Sequence, residues 1–131
     1  MRRHDCTVRA LALALGAPYD EVESRLSIDG YRRGRGFHLP RWLACEMRPA
    51  IGEPRPIFGY RATWHPCPAR KGEPRMTPAT FAAAHPIGRY VLKQVRHAVA
   101  VVDGAVVMET RRPDGGCVYG AWRFVAWHEY E

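Results

Sequence analysis

The chain has 131 residues, 47% of them hydrophobic, with 20 Lys and Arg against 13 Asp and Glu and a formal net charge of +7. This length and composition fit one globular domain with its own core and exclude general disorder. No apolar run is long enough to cross a bilayer as a helix. The basic excess is almost all arginine, with Lys71 and Lys93 the two lysines. That bias fits a GC-rich genome as well as a phosphate- or acid-binding surface.

Asp5 precedes an Ala/Leu-rich run from Cys6 to Leu15 that Gly16 stops, which predicts a helix with Asp5 as its N-cap. Cys6 falls in its first turn, where the positive end of the helix dipole favours the nucleophilic thiolate; the bland alternative is a small buried thiol. Arg2 and Arg3 mimic the basic start of a signal peptide, but the apolar run is short and Asp5, Arg9 and Asp20 surround it, so no signal peptide is expected. Pro18 to Leu26 reads as a second helix, with Val22 and Leu26 on one face and acids in the first turn. Asp29 to Gly36 is a polar, Gly-rich loop that carries the densest basic cluster, Arg32, Arg33 and Arg35.

Leu39 to Met47 is predicted as a third helix with Pro40 near its start. Residues 49–74 are rich in Pro and Gly but hold Ile57, Phe58, Tyr60 and Trp64, the composition of a packed irregular segment with a short strand. Thr77 as N-cap and Pro78 at the first helical position start a fourth helix, which His85-Pro86 ends. From Gly88 the pattern turns to β: strands at Gly88–Val95, His97–Val102 and Ala105–Thr110, then a turn at Pro113–Gly116 and a last strand from Cys117 to His128. The expected architecture is a single α+β domain over residues 1–131, with a helical part (1–48), an irregular segment (49–76) and a helix followed by an antiparallel meander (77–131). The helix bearing Cys6 would pack on the C-terminal sheet. Cys6, Cys45, Cys67 and Cys117 are widely scattered, and are expected as free thiols.

A helix-head Cys far upstream of a strand-head His is the skeleton of papain-like thiol chemistry. Asp5-Cys6 opening an Ala/Leu helix, with Tyr19-Asp20-Glu21-Val22 behind it, resembles the nucleophile region of compact papain-like cysteine peptidases. Gly88-Arg89-Tyr90-Val91 followed by His97-Ala98-Val99-Ala100-Val101-Val102-Asp103-Gly104 resembles their histidine hairpin. The similarity is to small papain-fold proteins of bacteriophages and bacterial mobile elements, and more distantly to peptidase domains that process bacteriocin leaders; it covers about half the sequence, at both ends. It implies a cysteine peptidase or amide hydrolase in the cytoplasm of a bacterial host cell, with Cys6 as nucleophile, His97 as its base, and no cofactor.

Hairpin geometry offers two registers for a third residue. A three-residue loop places Glu109 opposite His97, where its carboxylate would orient the imidazole, although relatives of this kind usually carry Asp or Asn there. A two-residue Asp103-Gly104 turn places Thr110 there instead; Asp103 sits in the turn, and Asp114 is a remaining carboxylate. For the oxyanion, the Cys6 backbone N–H is one donor. The family's usual upstream Gln or Asn is absent from the five preceding residues. His4 by position and Gln94 on a neighbouring strand are the candidates for an added donor.

His65 and Cys67 with His38, Cys45 or Cys117 lack the paired spacing of a zinc site, and no metal is expected. His38, His85 and His128 read as loop or surface residues, and Trp42, Trp64, Trp122 and Trp127 as packing. Two other classes stay open. One is a catalytically silent papain fold that binds a host protein, such as a phage-encoded inhibitor. The other is a basic nucleic-acid-binding module using Arg32, Arg33 and Arg35. For the enzyme, the same arginines would favour a peptide or protein substrate that is acidic or bears a C-terminal carboxylate. No membrane partner is expected.

Overall fold

Punctuation residues set the ends of the helices. In the computed structural model, which describes residues 6–32, 37–48, 52, 55–68, 71–95, 97–107 and 116–127, α1 (Cys6–Leu15) stops where Gly16 takes φ +63°, a conformation that costs glycine little. Asp5, the expected N-cap, lies outside the described residues. α2 (Tyr19–Ile28) has Asp20 and Glu21 in its first turn and Arg25 in its last, the signs the helix dipole favours at each end. α3 (Leu39–Met47) is capped by His38, whose Nδ1 accepts the Arg41 N–H at 3.1 Å. α4 (Pro78–Ala84) opens on a reciprocal capping box between Thr77 and Thr80.

The strands are β1 (Tyr60–Pro66), β2 (Arg89–Gln94), β3 (His97–Val102), β4 (Ala105–Val106) and β5 (Gly120–Ala126). They form one antiparallel sheet in the order β1-β5-β2-β3-β4. The fold is thus mixed α+β, with four helices and five strands among the described residues. The expected meander holds only for β2, β3 and β4. β5 returns to lie between β1 and β2, pairing Trp122 with Trp64 on one side and with Val91 on the other. Its burial on both faces matches the central place. Trp122 and Phe124 pack on one face of the sheet and Ala121 on the other, all 3% exposed or less, and a strand buried on both faces belongs inside a sheet.

The hairpin register also corrects an expectation. Val101 pairs with Val106 and Val102 with Ala105, so the turn is the two-residue Asp103-Gly104 form and not the three-residue loop. Both turn residues have positive φ, 48° and 80°, as a type I′ hairpin turn requires. Asp103 tolerates this because its side chain is anchored: Oδ1 accepts the Gly88 N–H at 3.0 Å, and the Asp103 N–H donates to Gly88 O at 2.8 Å. The support that the other register lent to Glu109 is removed. Glu109, Thr110 and Asp114 lie outside the described residues.

Strand alternation divides the core into two layers. Val91, Ala98, Ala100, Trp122 and Phe124 join the cluster formed with α1, α2 and α3, while Tyr90, Leu92, Val99, Val101 and Ala121 join Phe81 and Ala82 of α4. α1 packs chiefly on β3. Ala98 and Ala100 share this layer with the fully buried Ala10 and Ala14, and small residues on both partners allow close approach. Arg89 of β2 closes the far end of α1. Its Nη1 donates to Ala14 O at 2.9 Å, satisfying a terminal helix carbonyl with a cation at the negative end of the dipole, and its guanidinium lies 5.6 Å from the Tyr60 ring. No helix among the described residues is long and apolar enough to cross a membrane.

Gly120 seats the Trp64 indole: a Cβ at this position would overlap the ring, which packs on Trp122 with centroids 5.0 Å apart. Gly120→Ala is expected to displace Trp64 and lower stability by about 1 kcal/mol. Urea unfolding should show a lower midpoint at unchanged slope, with altered tryptophan emission in the native state.

Candidate active site

Cys6 is the first residue of α1 and His97 the first of β3, and because α1 lies along β3 both come to the same end of the helix–strand pair. They border one cavity of about 660 Å³. Thr7 beside Cys6, the start of α3 with Phe37, His38, Leu39 and Pro40, the end of β2 with Lys93 and Gln94, and Ala98 and Trp122 complete its described lining. Such a volume lies in the range of small-ligand and peptide side-chain sites. Cys6 and His97 are both half-buried, so each is reachable from the cavity while partly withdrawn from water.

Electrostatics act on His97 in one direction. Burial pushes its imidazole below the ordinary value of 6.5, and the positive charge of Arg9, one helical turn beyond Cys6, pushes it further the same way. At neutral pH the ring is therefore neutral and able to accept a proton.

The other expected site residues are distributed as follows. Gln94 is brought to the cavity and pairs with His97 across the β2–β3 ladder. Its amide packs over Gly116, where a Cβ would lie 2.7 Å from Nε2. His4 lies outside the described residues, as do Arg33 and Arg35. Arg32 is placed at the end of α2, where Nη1 donates to Ser27 O at 3.1 Å and Tyr31 O at 2.7 Å; it does not line the cavity.

Sequence reasoning missed Lys93 altogether and assigned His38 to a loop or surface. The signal for His38 was its place just before Leu39-Pro40, the position of a helix cap. Lys93 stands out only once α1 is known to cover its face of β2. Phe37 and His38 also border a second cavity of about 460 Å³. There Trp42 Nε1 donates to Asp29 Oδ2 at 2.7 Å, and buried Glu46 is held by Arg25 at 3.3 Å. A third cavity, of about 370 Å³, is bordered by His65, Cys67, Arg75 and His85 at the end of β1. Burial pushes the Cys67 thiol up, and the Arg75 charge partly offsets this. Among the described residues no three His, Cys, Asp or Glu side chains converge as a metal site.

An NMR titration is expected to give His97 a midpoint below 6.5, and Arg9→Gln should move it only part of the way back, because burial is the larger cause. The neutral ring is favoured in the folded state, so its contribution to stability is present above pH 6.5 and is lost as pH falls through the folded midpoint. A midpoint at or above the ordinary value would contradict the described environment.

No protein-family model, no curated protein and no solved structure matches the sequence, so what the cavity does rests on its own residues.

Proposed function

We propose that the protein is a cysteine peptidase or amide hydrolase with a papain-like site in which Cys6 is the nucleophile and His97 the general base. The observation that carries this reading is the shared cavity, which sets a helix-head thiol and a strand-head imidazole against the same space. The lowered proton affinity of His97 supports it, since a neutral imidazole accepts the thiol proton at physiological pH.

The reaction follows from these roles. His97 takes the proton of Cys6, and the sulfur attacks the substrate carbonyl carbon. The resulting oxyanion is met by backbone N–H groups of the first turn of α1, which have no partner within the helix. As the tetrahedral intermediate collapses, the C–N bond breaks and the His97 imidazolium delivers its proton to the leaving nitrogen. Water, deprotonated by His97, then cleaves the thioester, releasing a carboxylic acid and restoring the thiol. His4 and Gln94 remain the candidates for an added oxyanion donor, while Glu109 has lost the register that set it opposite His97. The rival reading, a silent papain fold that binds a host protein, predicts a thiol of ordinary reactivity.

Alkylation distinguishes the two. With iodoacetamide near neutral pH, Cys6 should be modified about tenfold or more faster than the exposed Cys45 and Cys117, and His97→Ala should bring it down to their rate. Peptide-bond turnover should vanish in Cys6→Ala. Uniform labelling of the thiols, unchanged by His97→Ala, overturns the enzymatic reading, and a Cys6→Ala variant that keeps the full biological effect replaces it with the binding role.

A further inference from the structure

β2 alternates across the sheet, so that Arg89, Val91 and Lys93 share the face covered by α1. The three residues meet α1 in order. Arg89 reaches the Ala14 carbonyl at its C-terminal end, Val91 joins the core beneath it, and Lys93 borders the cavity at the Cys6 end. The two cations therefore stand at opposite poles of one helix. Arg89 is placed where the dipole attracts it. Lys93 is placed where the dipole repels it.

Nothing described offsets that position. Lys93 is half-buried, and among the described residues its ammonium forms no ion pair and no hydrogen bond. The described lining of the cavity contains no carboxylate, and the nearby Arg9 adds a further positive charge felt at His97. A half-buried lysine at the positive pole of a helix, bordering an open cavity with no counter-ion among the described residues, is an arrangement that an incoming anion completes. Phe37, Leu39 and Trp122 give the cavity an apolar lining, beside which that attraction is stronger than in open water.

We infer that Lys93 is a specificity-determining residue that selects substrates carrying a carboxylate close to the carbon attacked by Cys6. The inference rests on the proposed thiol chemistry of Cys6 and names the class of molecule it acts on: an acyl or peptidyl substrate with negative charge next to the reacting centre, from either a free peptide C-terminus or an acidic side chain. Lys93 does not touch the reacting bond; it sets which molecules reach it.

Iodoacetate and iodoacetamide test this without knowledge of the substrate. Both alkylate a thiolate by the same displacement, in which the sulfur–carbon bond forms as the carbon–iodine bond breaks and iodide leaves. They are close in size and differ in charge. The full-length protein, as wild type, Lys93→Met and Lys93→Arg, is reacted at low salt near pH ~8.5, where an imidazole titrating below its ordinary value is neutral and adds no attraction. Modification of Cys6 is followed by mass spectrometry, and circular dichroism verifies that each variant is folded. The ratio of the iodoacetate to the iodoacetamide rate should fall about fivefold or more in Lys93→Met, be retained in Lys93→Arg, and shrink in wild type at high salt. A ratio equal in wild type and Lys93→Met overturns the inference. The iodoacetamide rate alone judges the nucleophile: if Cys6 reacts with it no faster than Cys45, the enzymatic reading fails while the ratio still decides whether the cavity selects anions. Protection of Cys6 by a short peptide with a free C-terminus, set against the same peptide amidated and carrying one glutamate, identifies the source of the carboxylate. Protection by neither, or protection undiminished in Lys93→Met, counts against the selection.

Discussion

The seating of α1 on β2 and β3 is the constraint from which the rest of the structure follows. Alanines on both partners bring the helix axis close to the sheet, and the Arg89 guanidinium ties the last turn of the helix to β2. With the C-terminal end held, the position of the N-terminal end along the strands is fixed by helix length alone. Cys6 then meets the beginning of β3 and the end of β2, and His97, Lys93 and Gln94 come to the cavity without further adjustment. The α4 layer on the opposite face adds burial but contributes nothing to this lining.

Positive charge recurs around the thiol, and its sources differ in kind. The dipole of α1 is a property of the backbone, Arg9 belongs to the helix that carries Cys6, and Lys93 belongs to the sheet beneath it. A neutral imidazole in this field is a consistent choice, since a further cation would be opposed by the charges already present. An anion that enters the cavity meets that field.

Much of the local architecture was legible because local residues enforce it. Gly16 ends α1 by its left-handed conformation, Thr77 and Pro78 start α4, and Pro40 marks the start of α3. The alternation of β2 and β3 was equally plain, since each strand supplies apolar side chains to both layers of the core. The place of β5 was not legible. Its pairing with β1 joins residues such as Trp64 and Trp122, and no short-range pattern distinguishes that pairing from addition beside β4. The hairpin register was ambiguous because Asp103-Gly104 suits both loop lengths; the hydrogen bonds between Asp103 and Gly88, made across the sheet, accompany the shorter one. At the site, Cys6 and His97 were legible from their positions at the heads of their elements. Lys93 was not, because a lysine on a strand gains its meaning from the helix laid across it.

The tie between Arg89 and Ala14 spans 75 residues of sequence. Helix α1 emerges from the ribosome long before β2 and β3 exist to receive it, and an isolated ten-residue helix is marginal in water. During synthesis the Cys6 thiol therefore has neither a fixed helix end nor the cavity that it shares with His97. The cavity that Cys6 borders is assembled only after most of the polypeptide has been made, when β2 and β3 are present to form its walls.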